Sequence, residues 1–228
     1  MVVEGFLLIN KPEGLSSFQV VQKVRYLSGQ KRVGHAGTLD PFSSGLLILA
    51  LGRNFTRQID RFQAMPKVYA VRMTEGIETD TLDSDGKITG VQPVTVVDQD
   101  LIERALSGFV GKQTQIAPIF SAKKINGKRS YALARAGETV EPKQSDIEIY
   151  SIEFLKVINV SYPIIDFTVC CSKGTYVRSL VRDIGEQLGF KAYTKDLIRV
   201  KIGPYSIDQA INYSQLSLDL IKKSLFQN

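Results

Sequence analysis

The sequence predicts an α/β fold of the α+β type: a mixed, largely antiparallel central sheet flanked by helices. Strand-like segments outnumber the helical patterns between them, and some are hairpin-spaced. The two longest, Ile147 to Val160 and Ile164 to Cys171, follow one another directly, and the second alternates Ile165, Phe167, Val169 and Cys171. A doubly wound parallel sheet would instead need a crossover helix between successive strands.

Phe6 to Ile9 reads as a short apolar strand ending at the turn cluster Asn10-Lys11-Pro12-Glu13-Gly14. Ser16 then opens a helix. Gln19 completes a capping box, Leu15 and Val20 form a hydrophobic staple, and Val20, Val21, Val24 and Leu27 make the inner stripe. Leu46 to Leu51 is an unbroken apolar run, the pattern of a strand buried on both faces. Asn54 is placed to cap a second helix bearing Phe55, Ile59 and Phe62. Val68 to Met73 reads as a strand carrying Tyr69. The acidic stretch from Asp80 to Gly86 resembles half a calcium loop. It has Thr81 at the first ligand position and Gln92 where the bidentate glutamate belongs, so it reads as a turn.

Asp100 with Glu103 opens a helix whose stripe is Leu101, Ala105, Leu106 and Phe109. Ile119 to Ile125 precedes Asn126-Gly127, a hairpin signal, and Arg129 to Ala136 reads as helical. Val177, Leu180, Val181, Ile184 and Leu188 mark an amphipathic helix, Leu197 to Ile202 a strand, and Ser214 to Leu225 a closing helix.

At 228 residues and 43% hydrophobic content, the chain is expected to form one domain, residues 1–228, with an excursion and a sizeable core. No basic segment followed by an apolar one opens the chain, and no apolar run approaches the length of a membrane span, so a cytoplasmic location is expected. Cys170 and Cys171 are neighbours, which disfavours disulfide geometry and suits reduced packing residues. The net charge is +6. Between Lys112 and Lys143 lie seven basic residues and two acidic ones, a net +5 that leaves +1 for everything else. A segment with that excess suits a phosphate-backbone grip, although it is also what a solvated basic face looks like.

One histidine and two adjacent cysteines are too few for a zinc site. No Gly-x-Ser-x-Gly elbow, Walker loop or dinucleotide fingerprint is present. What remains suits chemistry without cofactor or metal. The segment Gly34-His35-Ala36-Gly37-Thr38-Leu39-Asp40-Pro41 holds the one histidine and a carboxylate before proline, just ahead of the apolar run. Pro41 biases Asp40 toward extended geometry, and the two glycines permit a tight path. Such a carboxylate is either an active-site group held still or the side chain of an Asx-turn.

That octapeptide, continued by Phe42-Ser43-Ser44-Gly45-Leu46-Leu47, resembles the signature of the TruB-type tRNA pseudouridine-55 synthases. Lys11-Pro12-Glu13-Gly14-Leu15-Ser16-Ser17 is similar to the family's amino-terminal motif. Lys173-Gly174-Thr175-Tyr176-Val177-Arg178-Ser179-Leu180 is similar to the motif carrying its active-site arginine. The resemblance runs from about Leu7 to Ile211. It implies isomerisation of uridine 55 in the tRNA T-loop to pseudouridine, with the nucleoside flipped out of its stack.

By that likeness, Asp40 is the nucleophile or the base opening a glycal route. Arg178 keeps it ionised by charge pairing, and Tyr69 stacks on uracil and assists proton removal from C5. Leu197 lines the uracil pocket, and His35 contacts displaced nucleotides. Lys11 meets a phosphate or supports the Asp40 loop, and Tyr176 belongs with the substrate-binding group. The segment of about residues 112–143 corresponds to a thumb-like RNA-binding insertion, with Lys123, Lys128, Arg129 and Tyr131 as RNA contacts. The resemblance implies no cofactor, and no obligatory protein partner or guide RNA is expected. Only about two dozen residues follow Ile202, so the family's carboxy-terminal PUA domain is expected to be absent. Many relatives carry consecutive basic residues after the residue matching Leu197, whereas Ile198-Arg199 offers one. An RNA-binding module without catalysis, and a ribosomal-RNA synthase from a sister family, are the competing readings.

Overall fold

The computed structural model describes residues 3–94, 96–119, 124–125, 128–129 and 144–227. Its chain is organised as two compact units, Met1–Ala70 with Leu197–Asn228, and Val71–Asp196. The first contains β1 (Gly5–Lys11), α1 (Ser17–Ser28), β2 (Val33–His35), β3 (Ser44–Leu51), α2 (Arg53–Thr56) and α3 (Ile59–Ala64). The chain leaves this unit within β4 (Lys67–Glu75) and re-enters it within β12 (Ala192–Ile202). It then continues through β13 (Tyr205–Ser206), β14 (Ile211–Asn212) and α6 (Leu218–Ser224).

Strand β3 is the centre of the first unit. β1 runs antiparallel along one edge, from Gly5 opposite Leu51 to Lys11 opposite Gly45. The other edge is divided: β2 pairs antiparallel with its end, His35 opposite Leu49, and β12 pairs parallel with its start, Arg199 opposite Gly45. β14 lies parallel beyond β1, so the sheet is mixed. The predicted two-sided burial follows from the strand period of two. Leu47, Leu49 and Leu51 pack with Val20, Val21 and Val24 of α1, and Leu46, Ile48 and Ala50 with Phe6, Ala36 and Phe62. The capping box forms as expected, with Ser16 and Gln19 exchanging bonds.

The second unit contains β5 (Ile77–Thr79), β6 (Ile88–Val91), α4 (Gln99–Gly108), β7 (Gly111–Ile116), β8 (Lys124–Ile125), β9 (Lys128–Arg129), β10 (Gln144–Ile158), β11 (Ile164–Cys171) and α5 (Val177–Leu188). β10 pairs antiparallel with both β11 and β7. Ile165, Phe167, Val169 and Cys171 form the buried row of β11. The buried stripe of α5 contains all five expected apolar residues. β8 pairs antiparallel with β9 on either side of Asn126-Gly127, the hairpin register expected there. Of the helix expected over Arg129 to Ala136, Arg129 belongs instead to β9, and the rest lies outside the described residues.

Three expectations need correction. The helix assigned to Asn54 is two short helices, α2 and α3; Gly52 stands at the first N-cap with φ +90°, and no side chain caps it. In α4 the cap is Asp98, which accepts from the Leu101 N–H at 3.1 Å, so helix starts before Asp100. The buried stripe is accordingly Ile102, Ala105 and Leu106, with Leu101 exposed. The closing helix is also shorter than expected. Tyr213–Gln215 is a single 3-10 turn, extended Leu216 interrupts it, and Ser217 caps α6. Among the described residues no helix is long and apolar enough to cross a membrane.

Candidate active site

Asp40 sits in the segment joining β2 to β3, where the edge of β3 changes partner. The neighbouring chain holds the main chain around it. Ser17 exchanges two bonds with Leu39, accepting from its N–H at 2.8 Å and donating to its carbonyl at 3.0 Å. The Pro41 carbonyl accepts from Gly14 N–H at 2.8 Å. The Asp40 carbonyl accepts from both the N–H and the hydroxyl of Ser43, at 3.2 and 2.9 Å, closing a tight turn. Leu39, Phe42 and Ser43 are buried, while Asp40 itself is half-buried. A carboxylate on a backbone fixed in this way can meet a substrate without first reorganising its own loop.

Two buried cations complete this bracing. The Lys11 Nζ is fully buried and donates to the carbonyls of Leu15 at 2.6 Å, Pro12 at 2.9 Å and Pro41 at 3.4 Å. Of the two roles expected for Lys11, this geometry is that of loop support, because a side chain with no exposed surface cannot lie against a phosphate. Arg199 is 1% exposed and donates from Nε to the Leu46 carbonyl and from Nη2 to the Gly37 carbonyl. It too is a brace. Sequence reasoning notes it only as the one basic residue after Leu197, and nothing in Ile198-Arg199 marks it as a brace.

His35 ends β2 and is half-buried, and Tyr69 on β4 is likewise half-buried. Leu197 on β12 is buried at 8% exposure. Tyr69 is preceded on β4 by Lys67, whose ammonium donates to the Phe62, Gln63 and Met65 carbonyls and so closes the end of α3.

In the second unit, Tyr176 is the N-cap residue of α5, and the Gln115 side chain clamps its backbone. Gln115 accepts from Tyr176 N–H at 2.8 Å and donates to its carbonyl at 3.1 Å. Ser179 donates to the Ile116 carbonyl at 2.8 Å, so the start of the helix is tied to the end of β7. Arg178 follows and is 4% exposed. Its Nη1 donates to Asp83 Oδ2 at 2.9 Å and to the Thr81 carbonyl at 2.7 Å. Asp83 is itself buried and accepts at Oδ1 from the Thr81 hydroxyl and the Asp85 N–H. Between them Leu82 adopts φ +62°, a left-handed conformation that ordinary side chains seldom take.

Asp83 is the functional candidate that sequence reasoning missed. The turn is recognisable, but Asp80, Asp83 and Asp85 look equivalent in sequence. The available signal was that a buried arginine needs a charged partner.

Elsewhere in this unit the Arg72 guanidinium grips Asp166 with two bonds of 2.8 Å and holds its carboxyl below the usual range. Glu75, at the end of β4, is fully buried, and neither carboxyl oxygen has a hydrogen-bond partner. Burial pushes its pKa up to about 7. Cys170 and Cys171 are free, and burial raises the Cys170 thiol. An open depression of about 350 Å³ is lined by Glu78, Gln92, Arg182, Glu186 and Lys191. Its cations are engaged by carboxylates, Lys191 by Glu78 and Arg182 by Asp183. Among the described residues no group of three or more metal-ligating side chains occurs. Lys123 and Tyr131 lie outside the described residues, and only the backbone strand is described for Lys128 and Arg129.

Residues 25–177 match the family described as TruB family pseudouridylate synthase, N-terminal domain. A tRNA pseudouridine synthase B of Chlamydia felis is 43% identical over 209 residues, covering 92% of this chain and 87% of that protein. The protein of that name in Protochlamydia amoebophila is 38% identical over 227 residues, covering 99% and 85%. Among solved structures, one of a Cbf5-Nop10-Gar1 complex aligns with a TM-score of 0.72 at 26% identity over 96% of this chain. A chain of an H/ACA RNP bound to a substrate RNA containing 2'-deoxyuridine aligns at 0.69 and 25% identity. The present chain spans 54% and 53% of those two chains.

Proposed function

Since this chain belongs to the TruB family of pseudouridylate synthases, we propose that it isomerises uridine 55 in the T-loop of tRNA to pseudouridine. The observation that carries the reading is the Asp40 segment, in which the main chain is bonded at residues 39, 40 and 41 while Asp40 itself stays half-buried.

The reaction conserves atoms. The bond from C1′ to N1 breaks, the uracil turns, a bond from C1′ to C5 forms, and the C5 proton is lost while N1 gains one. Its stoichiometry requires no second substrate. Asp40 either attacks the nucleoside or removes the 2′ proton on a glycal route. Tyr69 takes part in proton removal from C5, and Leu197 packs against the base. We assign Arg178 and Tyr176 to the same reaction through their match to the family's arginine motif. His35 contacts the nucleotides displaced when the nucleoside is flipped out, an extraction that costs a few kcal/mol of stacking. The chain acts as one catalytic domain in the cytoplasm, without a guide RNA or protein partner. The basic insertion of about residues 112–143 grips the T stem-loop.

The test is release of tritium from tRNA labelled at uracil C5. Wild-type protein should release label, whereas Asp40→Asn should bind the same tRNA and be slower by about four orders of magnitude. Release by the variant at the wild-type rate, or no release by either protein, would overturn the assignment. Binding by both proteins without release would instead identify an RNA-binding module.

A further inference from the structure

Among the described residues, Arg199 is the largest of the fully buried side chains. Burying a guanidinium is costly, and an apolar residue would fill the same volume without that desolvation. What the guanidinium offers is a rigid planar fork whose donors point in fixed, different directions. Here one arm reaches the Leu46 carbonyl at 2.7 Å and another the Gly37 carbonyl at 3.1 Å. These acceptors flank Asp40 in the chain, one on the loop before it and one at the start of the strand after it.

A second observation concerns the backbone of the same residue. Gly45 has φ +108°, and a Cβ placed on it would lie 2.4 Å from the Arg199 carbonyl oxygen. β3 and β12 therefore meet here at a distance only glycine allows, with Arg199 paired to Gly45 and Ile198 to Ser44. Residues two apart on a strand face the same side, so Leu197 projects from β12 on the side of the Arg199 guanidinium.

We infer that Arg199 is a positioning residue for the chemical step. Its side chain and backbone join the Asp40 loop, the start of β3 and the Leu197 segment into one rigid piece, which sets the reach of the carboxylate toward the nucleoside. This rests on the assignment of Asp40 as the reacting group. Loss of the fork lets the loop shift relative to Leu197, and a misplacement of about 1 Å in a reacting group costs about 100-fold in rate. RNA affinity does not depend on a side chain that solvent cannot reach.

The experiment measures single-turnover tritium release, tRNA affinity and melting temperature for wild type, Asp40→Asn, Arg199→Met and Arg199→Lys. Arg199→Met should react about 100-fold more slowly with affinity within about threefold of wild type, and Arg199→Lys should recover part of the rate. A folded Arg199→Met protein that reacts at the wild-type rate, or whose whole defect is in affinity, overturns the proposal. If the Met variant does not fold, the Lys variant decides: a wild-type rate refutes positioning, and a slowed rate with unchanged affinity supports it. If neither folds, Arg199 serves stability alone and the proposal fails. An active Asp40→Asn or an inactive wild type would instead bring down the functional assignment on which the inference stands.

Discussion

In the first unit, the buried cations Lys11, Lys67 and Arg199 donate to main-chain carbonyls, whereas in the second Arg178 donates to the Asp83 carboxylate as well as to the Thr81 carbonyl. The net charges differ in the same sense. The first unit has thirteen basic and six acidic side chains, net +7, and the second sixteen and seventeen, net −1. A carbonyl partner fixes the path of a backbone and brings no full opposing charge. A carboxylate partner fixes one side chain and neutralises it. The first arrangement suits a loop whose backbone must hold still near a polyanion, and the second an arginine whose own orientation matters.

The comparison breaks most visibly at the buried pair. Asp83→Ala leaves Arg178 charged and buried and should cost about 3–5 kcal/mol of stability, read by denaturant unfolding. The double change Asp83→Leu with Arg178→Met should recover most of that loss. Tritium release should be abolished in the double variant even though its stability is recovered; activity there would remove Arg178 from the mechanism.

Glu75 tests the second unit from its uncompensated side. Its folded pKa of about 7 lies above the unfolded value of 4.5, so between those values the folded state binds more protons. Stability is therefore greatest below the unfolded value and declines as pH rises toward 7, by about 3 kcal/mol in total. Glu75→Met should raise the melting temperature at pH 8 and flatten its dependence on pH between about 4.5 and 7. A variant that melts as wild type does at every pH would show the carboxyl to be solvated.

Lys11→Met sharpens the contrast from the first unit. It orphans the Pro12, Leu15 and Pro41 carbonyls and should cost about 1–3 kcal/mol, read by denaturant unfolding.

Features resting on local chemistry were legible in the sequence. Ser16 and Gln19 are three residues apart, and the alternation in β11 and the stripe of α5 each lie within one element. Asp40 stood out because Pro41 and two glycines constrain it within a few residues. Its supports did not, since Arg199 reaches Gly37 across 162 positions and Arg178 reaches Asp83 across 95. Adjacent apolar residues also defeat pattern reading, as with Leu101 and Ile102. Both fit a helical stripe, and packing in the fold, which buries Ile102 and leaves Leu101 exposed, decides between them.

β3 has a neighbour on each edge and apolar packing on each face, so its amide protons have no route to solvent short of unfolding the first unit. Hydrogen exchange from Leu47 to Ala50 should be among the slowest in the protein. The reacting loop is thus spliced onto the segment that opens last. On heating, catalytic capacity should disappear together with the global structure, with no earlier stage in which the protein is inactive but still folded.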